Sequence, residues 1–267
     1  MDDVLYEARL LAASGVKEII VVAQDTSRYG TDLGDGRRLL PELLRQLCQM
    51  DFHWVRLHYL YPDEIDMELI ETIASEPKIV KYLDIPIQHC NSKILDLMNR
   101  RGNGEYLRKL FAILREKIPG LVLRTSVITG LPGEGEEEFA ELCQFLKDVQ
   151  LERVGAFPFS PEEGTPAALM DFVDNETAQA RARMVEDIQS RIMDAQNEAM
   201  MGKTLEVLVD GFDPEFEQYF GRTYADSPEI DGRVWIASDE DLSEGSFVTV
   251  CIDGLIDGDL SGYILEE

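Results

Sequence analysis

At 267 residues and 45% apolar content the chain can build a real core, as one large domain or one medium and one small; it contains no run of 18 apolar residues and no signal-peptide pattern at Met1-Asp2-Asp3. Its net charge of −27 is the reverse of the basic footprint of a nucleic-acid binder, so RNA binding is not expected. Cys48, Cys90, Cys143 and Cys251 lie far apart without CxxC or CxxH spacing, which argues against a disulfide scaffold or a zinc site and for a reduced, cytoplasmic setting.

Residues 2–14 read as a helix closed by Gly15. Residues 18–24 follow as a β-branched, nearly all-apolar run, the pattern of a parallel strand buried on both faces. The polar loop 24–30 leads to a helix over 36–50, with Leu39, Leu40, Leu43, Leu44 and Leu47 on one face. A second strand, 54–61, stops at Pro62, and a helix over 63–75 buries Ile65, Leu69, Ile70 and Ile73. The third strand, 80–88, puts Tyr82, Asp84, Pro86 and Gln88 on one face and Leu83, Ile85 and Ile87 on the other. The apolar set meets helices; Asp84 and Gln88, facing inward, call for a polar cavity. Helices over 91–101 and 105–118 come next.

A strand begins again at Val122, turns through Gly130-Leu131-Pro132-Gly133, and restarts as a helix. Glu134, Glu136, Glu137 and Glu138 suit the positive end of that helix's dipole. Strand, glycine turn and helix make half a βαβ unit, whose ligands lie at the strand's C-terminal end. After the helix, ending near Val149, a fifth strand runs over 153–159 and a loop over 160–166. Residues 174–200 read as one long helix, with Val185, Ile188, Ile192, Ala195 and Ala199 as a narrow seam against the barrel wall. This alternation predicts a parallel α/β barrel or an open α/β sheet. Five strands are too few for a closed eight-stranded barrel, and a first helix with no strand before it points to something missing from the front.

Beyond Gly202 the texture changes to short strands (204–210, 220–225, 232–237, 246–252 and 262–265) between Asp, Gly and Pro turns, which predicts a small antiparallel barrel. The division falls at about residue 202, into 1–202 and 203–267. The second part holds three basic residues (Lys203, Arg222, Arg233) against 17 acidic ones. Such acidity serves solubility or steers a basic protein partner.

Ordinary catalytic motifs are weak. His53, His58 and His89 have no nucleophile in a strained elbow beside them, and the Gly130–Gly133 turn lacks the Gly-Lys-Ser/Thr ending of a Walker loop. Asp84 reads equally as a general base or an ion-paired structural carboxylate, and Tyr59 and Tyr61 as pocket walls or core. No catalytic residue and no metal ligand is assigned.

Five motifs nonetheless occur in order: 22–30 (Val-Ala-Gln-Asp-Thr-Ser-Arg-Tyr-Gly), 56–62 (Arg-Leu-His-Tyr-Leu-Tyr-Pro), 82–90 (Tyr-Leu-Asp-Ile-Pro-Ile-Gln-His-Cys), 124–134 (Arg-Thr-Ser-Val-Ile-Thr-Gly-Leu-Pro-Gly-Glu) and 159–167 (Phe-Ser-Pro-Glu-Glu-Gly-Thr-Pro-Ala). With them the chain closely resembles the radical S-adenosylmethionine (SAM) methylthiotransferases. The Tyr-Leu-Tyr-Pro and Ile-Gln-His-Cys segments look like the ribosomal-protein-modifying branch (RimO type) rather than the transfer-RNA branch (MiaB type). Residues 221–232 (Gly-Arg-Thr-Tyr-Ala-Asp-Ser-Pro-Glu-Ile-Asp-Gly) look like that family's TRAM domain.

The resemblance implies an open, partial parallel β/α barrel of the radical SAM type followed by a small antiparallel, TRAM-like barrel. It implies that an iron–sulfur cluster splits SAM, that the resulting 5′-deoxyadenosyl radical takes a hydrogen from the β-carbon of an aspartate in a small-subunit ribosomal protein, and that a methylthio group is inserted; the cofactors do the hard chemistry. By position, Gln24, Asp25, Thr26, Gln88, Arg124, Thr125, Gly130 and Gly133 match places that line the SAM site, and Tyr59, Tyr61, Asp84 and His89 would face the substrate. The acidic TRAM-like part is expected to meet the basic ribosomal protein.

One departure stands out. The family's CxxxCxxC loop, whose thiolates hold the radical cluster, is absent, and the four cysteines cannot substitute on spacing. The chain is therefore expected to be the C-terminal part of a parent that carries two 4Fe–4S clusters, to hold neither, and to be inactive alone. An exposed apolar edge on strand 18–24 predicts self-association or disorder around residues 1–30. Three alternatives stay open: a transfer-RNA-modifying enzyme, a non-catalytic acidic module for a basic ribosomal protein, and a complete barrel enzyme taking a phosphorylated metabolite at the Gly130–Gly133 turn.

Overall fold

The computed structural model describes residues 1–33 and 36–265. Strands β1 (Glu18–Val21), β2 (Trp54–Leu57), β3 (Ile79–Asp84), β4 (Val122–Thr129) and β5 (Arg153–Pro158) lie side by side in sequence order, every pairing parallel. Helix α1 (Asp2–Ala13) precedes them. The crossovers carry α2 (Leu40–Cys48), α3 (Met67–Ser75), α4 (Ser92–Leu97), α5 (Gly104–Lys117) and α6 (Glu136–Val149). Local chemistry starts these helices: Pro41 sits in the first turn of α2, and the side chains of Asp66, Asn91 and Asn103 accept from the N–H groups of Leu69, Ile94 and Tyr106.

Because side chains alternate along a strand, the sheet has two different faces. One buries Val55, Leu57, Leu83, Leu123 and Val127 under the helices, against residues such as Leu44, Ile73, Leu114 and Phe145. The other carries Trp54, Val80, Tyr82 and Val122, which pack on Leu208 of the C-terminal barrel with Tyr224, Ala225 and Phe247 alongside.

The first three strands stop short of the expected ends at residues 24, 61 and 88. Tyr59 and Gln88 have φ of 57° and 66°, left-handed backbone that breaks a ladder. Gln88 rejoins the sheet by a single bridge: its N–H donates to Ser126 O at 2.9 Å, and its carbonyl accepts from Ile128 N at 2.8 Å. The helices expected over 63–75 and 91–101 are also shorter. Pro62–Glu64 forms a 3-10 turn before α3, and Asn99 and Gly102 take positive φ after α4.

Helix α7 (Asn175–Glu198) starts at the Asp174 cap and runs against β5, burying Ala178, Ala182, Val185 and Gln189. Ala195 and Ala199, expected in the apolar seam, are exposed. The helix has left the sheet there and reaches toward the barrel, where Asn197 donates to Gly258 O at 2.9 Å.

Strands β6 (Thr204–Asp213), β7 (Gln218–Arg222), β8 (Val234–Ala237), β9 (Phe247–Ile256) and β10 (Asp259–Ile264) close into a barrel around Val207, Val209, Val234, Ile236, Val250 and Ile252. Two of them are displaced from the expected 220–225 and 262–265. Neighbours pair antiparallel except β8 and β10, which run parallel. A Cβ at Gly221 or Gly262 would lie 2.2 or 2.1 Å from a carbonyl oxygen of the next strand, so the closure demands glycine at both places. Among the described residues no helix is long and apolar enough to cross a membrane.

Candidate functional site

Above the buried part of the sheet's inner face, at the strands' C-terminal ends, the surface opens. Val22, Tyr59 and Phe157 are large side chains left 56%, 45% and 53% exposed. Gln24 is exposed beside them, and Gln88, Ser126 and Ile128 are half-buried. Exposed apolar faces interleaved with amides and a hydroxyl are the composition of a ligand mouth rather than of ordinary surface.

Two loops forming this mouth are stitched into one unit. Thr26 Oγ1 accepts from Ala23 N at 2.9 Å, and Thr26 N donates to Tyr59 O at 3.0 Å. Ser27 Oγ donates to Asp25 Oδ1 at 2.5 Å and accepts from Tyr61 N at 3.1 Å. The floor is an ion pair, with Arg124 Nη1 donating to Asp84 Oδ1 at 2.7 Å. Tyr59 N donates to the other carboxylate oxygen, Asp84 Oδ2, at 3.4 Å. Burial alone would depress the Arg124 guanidinium, but Asp84, with Tyr82 and Asp231 behind it, outweighs that and holds it above its usual value. Asp84 is thus the ion-paired carboxylate of the two sequence readings.

The residues expected at the site separate into two groups. Gln24, Asp25, Gln88 and Arg124 gather at the mouth, with Asp84 and Tyr59 among them. Tyr61 turns aside under the Arg100 guanidinium, 5.0 Å from its ring, and lines a neighbouring cleft of about 720 Å³ with Asp25, Arg28 and Arg101.

The remaining residues are scaffold. Thr125 Oγ1 donates to Ile85 O at 2.7 Å and accepts from Ile87 N at 3.1 Å, holding the irregular end of β3 to β4. A Cβ on Gly130 would come within 2.6 Å of Ala178, and one on Gly133 within 2.8 Å of Leu97, so both glycines let neighbouring helices approach closely. Their amides are taken within the chain, Gly130 N by Glu134 Oε1 at 2.8 Å and Gly133 N by Asp171 O at 3.2 Å. His89, expected on the substrate side, is fully buried, with Nδ1 accepting from Asn91 N at 3.0 Å and Nε2 lying 3.3 Å from Glu134 Oε2.

Several residues that sequence reasoning missed hold this arrangement. Glu134 Oε1 accepts from Gly130 N at 2.8 Å and from Arg181 Nη1 at 2.7 Å, tying the glycine turn to α7. Glu134 stood inside a recognised motif; Arg181 carried no signal. Below the mouth, Tyr82 donates to Asp231 and His58 meets Ser227, contacts between distant segments that no local pattern announces.

Residues 1–146, more than half of the chain, match the radical SAM superfamily. The chain belongs to the radical SAM superfamily. Residues 201–265 match the TRAM domain, in accord with the closed barrel. The ribosomal protein uS12 methylthiotransferase RimO of Acetivibrio thermocellus is 44% identical over 269 residues, aligning 100% of this chain with 59% of its own length. The protein of the same name from Myxococcus xanthus is 48% identical over 269 residues, covering 100% of this chain and 56% of its own length. That of Lachnoclostridium phytofermentans is 44% identical over 264 residues, with coverages of 98% and 60%. The chain therefore spans less than two thirds of the length of these curated relatives.

The superfamily implies SAM and a 4Fe–4S cluster. Cys48 and Cys90 do not suit the cluster: burial pushes the Cys48 thiol up to about 11 and the Cys90 thiol up to about 12, the reverse of what a thiolate ligand needs. Among the described residues no three His, Cys, Asp or Glu side chains are placed to hold a metal ion.

Proposed function

We propose that this chain is the SAM-binding and substrate-facing part of an enzyme that methylthiolates the β-carbon of an aspartate in ribosomal protein uS12. Residues 1–202 form its radical SAM wall and 203–267 its TRAM-like part. The observation that carries this reading is identity of 44–48% along the whole chain with proteins bearing that name. The chemistry of the mouth supports it. Val22, Ile128 and Phe157 offer apolar surface to a purine, Gln24 and Gln88 offer amides to its edges and ribose, and Gly155, lacking a Cβ, leaves room between Phe157 and Arg124.

In this reading Gln24, Asp25 and Gln88 contact the ligand directly, and Arg124 sets the charge beneath it. Thr26, Thr125, Gly130 and Gly133 shape the wall. Tyr59 and Tyr61 face the protein substrate. SAM supplies, when bound, the 5′-deoxyadenosyl group that takes the substrate's hydrogen; this chain's own contribution is binding, orientation and shielding from water. Titration calorimetry with S-adenosylhomocysteine tests it: Gln88→Ala is expected to weaken binding about tenfold, the equivalent of about 1.4 kcal/mol. Equal affinity for both chains contradicts the assignment.

The partner reading rests on charge. Two of the barrel's three cations are already occupied: Arg222 lies between Glu18 and Asp210, and Arg233 lies over the rings of Phe220 and Trp235. The outer surface of the barrel is left acidic, suited to a basic ribosomal protein. Affinity for purified uS12 is expected to fall steeply between low and high salt. Salt-independent binding contradicts the charge reading, and preference for transfer RNA favours the MiaB-type alternative.

A further inference from the structure

All five parallel strands are contacted from inside the sheet by one short stretch of the C-terminal barrel, residues 222–231. From β1, Glu18 Oε2 accepts from Arg222 Nη1 at 2.6 Å. From β2, Arg56 Nη1 donates to Tyr224 O at 2.9 Å, and His58, just past the strand, lies 3.0 Å from Ser227 Oγ through Nε2. From β3, Tyr82 donates to Asp231 Oδ2 at 2.5 Å. From β4, Arg124 Nε stands 3.9 Å from Asp231 Oδ1, and from β5, Arg153 Nη2 donates to Asp226 Oδ1 at 3.0 Å. The lower inner face of the sheet, open in an isolated half-barrel, is filled by this stretch.

We propose that Asp231 is a positioning residue of the SAM mouth, acting through Arg124, so that the C-terminal barrel forms part of the site as well as a surface for substrate. Asp231 Oδ2 is taken twice, by the Tyr82 hydroxyl and by Ser227 N at 2.9 Å. The carboxylate is pinned by these two donors and presents Oδ1 to Arg124. Arg124 thereby sits between two carboxylates, Asp84 ahead and Asp231 behind. Asp84 in turn receives the N–H of Tyr59, a residue held in left-handed backbone conformation. A line of contacts therefore runs from Asp231 through Arg124 and Asp84 to Tyr59, from the barrel to the exposed rim. Strained backbone of this kind persists only where its surroundings over-determine it.

The inference rests on the SAM reading of the mouth, and two measurements on the whole chain keep the two apart. Hydrogen exchange without ligand reads the line of contacts. In Asp231→Asn, amides 58–61 are expected to exchange at least about fivefold faster, and Arg124→Gln to give the same effect, the two together no more than either alone. Calorimetry with S-adenosylhomocysteine reads the site: Asp231→Asn is expected to weaken binding about fivefold to tenfold, and Asp231→Glu to restore part of it. Arg153→Gln serves as the control for loosened docking. It is expected to lower the unfolding temperature while leaving that affinity and the exchange at 58–61 unchanged. If Asp231→Asn leaves the exchange at 58–61 as it was, or if Arg153→Gln reproduces its effects, Asp231 has only a structural role and the proposal fails. If the unaltered chain binds no S-adenosylhomocysteine while the exchange coupling holds, the SAM reading fails, and the assignment of Asp231 to that site fails with it.

Discussion

Glu134 is buried, yet two donors converge on its Oε1, the Gly130 amide and the Arg181 guanidinium, while Oε2 lies 3.3 Å from His89 Nε2 without a hydrogen bond. A buried charge of this kind is tolerated only with its partners in place, and removing one member leaves the others uncompensated. Glu134→Gln is accordingly expected to lower unfolding free energy by about 3 kcal/mol in urea titrations. A loss below about 1 kcal/mol would show the pair to be solvated. Gly130 gives a second residue-scale expectation, because two separate effects meet there. Its φ of 77° is strained for any L side chain, and an added Cβ would lie 2.6 Å from Ala178. Gly130→Ala is expected to cost about 1–3 kcal/mol. Adding Ala178→Gly should recover the steric part alone. Full recovery would mean that the backbone angle is free of strain.

At the level of elements, the legible and the hidden parts of the fold divide along physical lines. The order of strands and helices could be read because apolar, β-branched runs such as Ile19-Ile20-Val21 stand out between polar loops, although that strand proves to be a half-buried edge and not one buried on both faces, and because helix caps use residues with local chemistry, Asp66, Asn91, Asn103 and Asp174. The strand ends could not, since tyrosine and glutamine do not announce a left-handed backbone, and Tyr59 and Gln88 adopt it only because distant partners hold them. The same reason hid the true seam of α7, whose lower half follows the barrel instead of the sheet. Of the residues that the motifs named, Gln24, Asp25, Gln88 and Arg124 lie at the proposed mouth. The scaffold roles of Thr125, Gly130, Gly133 and His89 depend on what packs against them. β1 also has consequences of its own. It lies at the sheet's edge, its four residues half-buried and paired only with β2. Unpaired edges template association. Sedimentation at rising concentration is expected to show reversible self-association, weakened by Ile20→Lys; a monomer throughout the range would contradict this.

For the molecule as a whole, sheet and C-terminal barrel form one unit joined through buried polar contacts, and these carry a pH dependence. Burial, aided by Arg56 and Arg124 and only partly opposed by Asp84 and Asp231, holds the His58 imidazole below its usual value of 6.5. A depressed histidine favours folding while it is neutral, so its contribution is present above about pH 6.5 and fades as pH falls through that value, where the unfolded chain takes up the proton first. Unfolding free energy is therefore expected to fall between pH 7.5 and 5.5, with part of that slope absent in His58→Gln. An unchanged slope would place the titrating group elsewhere. The cysteines set a second expectation at this scale. With the four cysteines far apart and Cys48 and Cys90 buried, the chain is expected to take up no stoichiometric iron on reconstitution and to cleave no SAM, and measured iron together with turnover would overturn that.

In the proposed reading, the open upper face of the sheet, floored by Asp84 and Arg124 and closed from below by residues 222–231, is the seat of a SAM-type nucleoside. Nuclear magnetic resonance shift mapping with S-adenosylhomocysteine addresses it most directly. Saturable shifts are expected at Val22, Gln24, Asp25, Tyr59, Gln88, Arg124, Ser126, Ile128 and Phe157, with smaller ones relayed to Asp231. Shifts centred instead on the groove between α6 and α7, or none at saturating ligand, would contradict it.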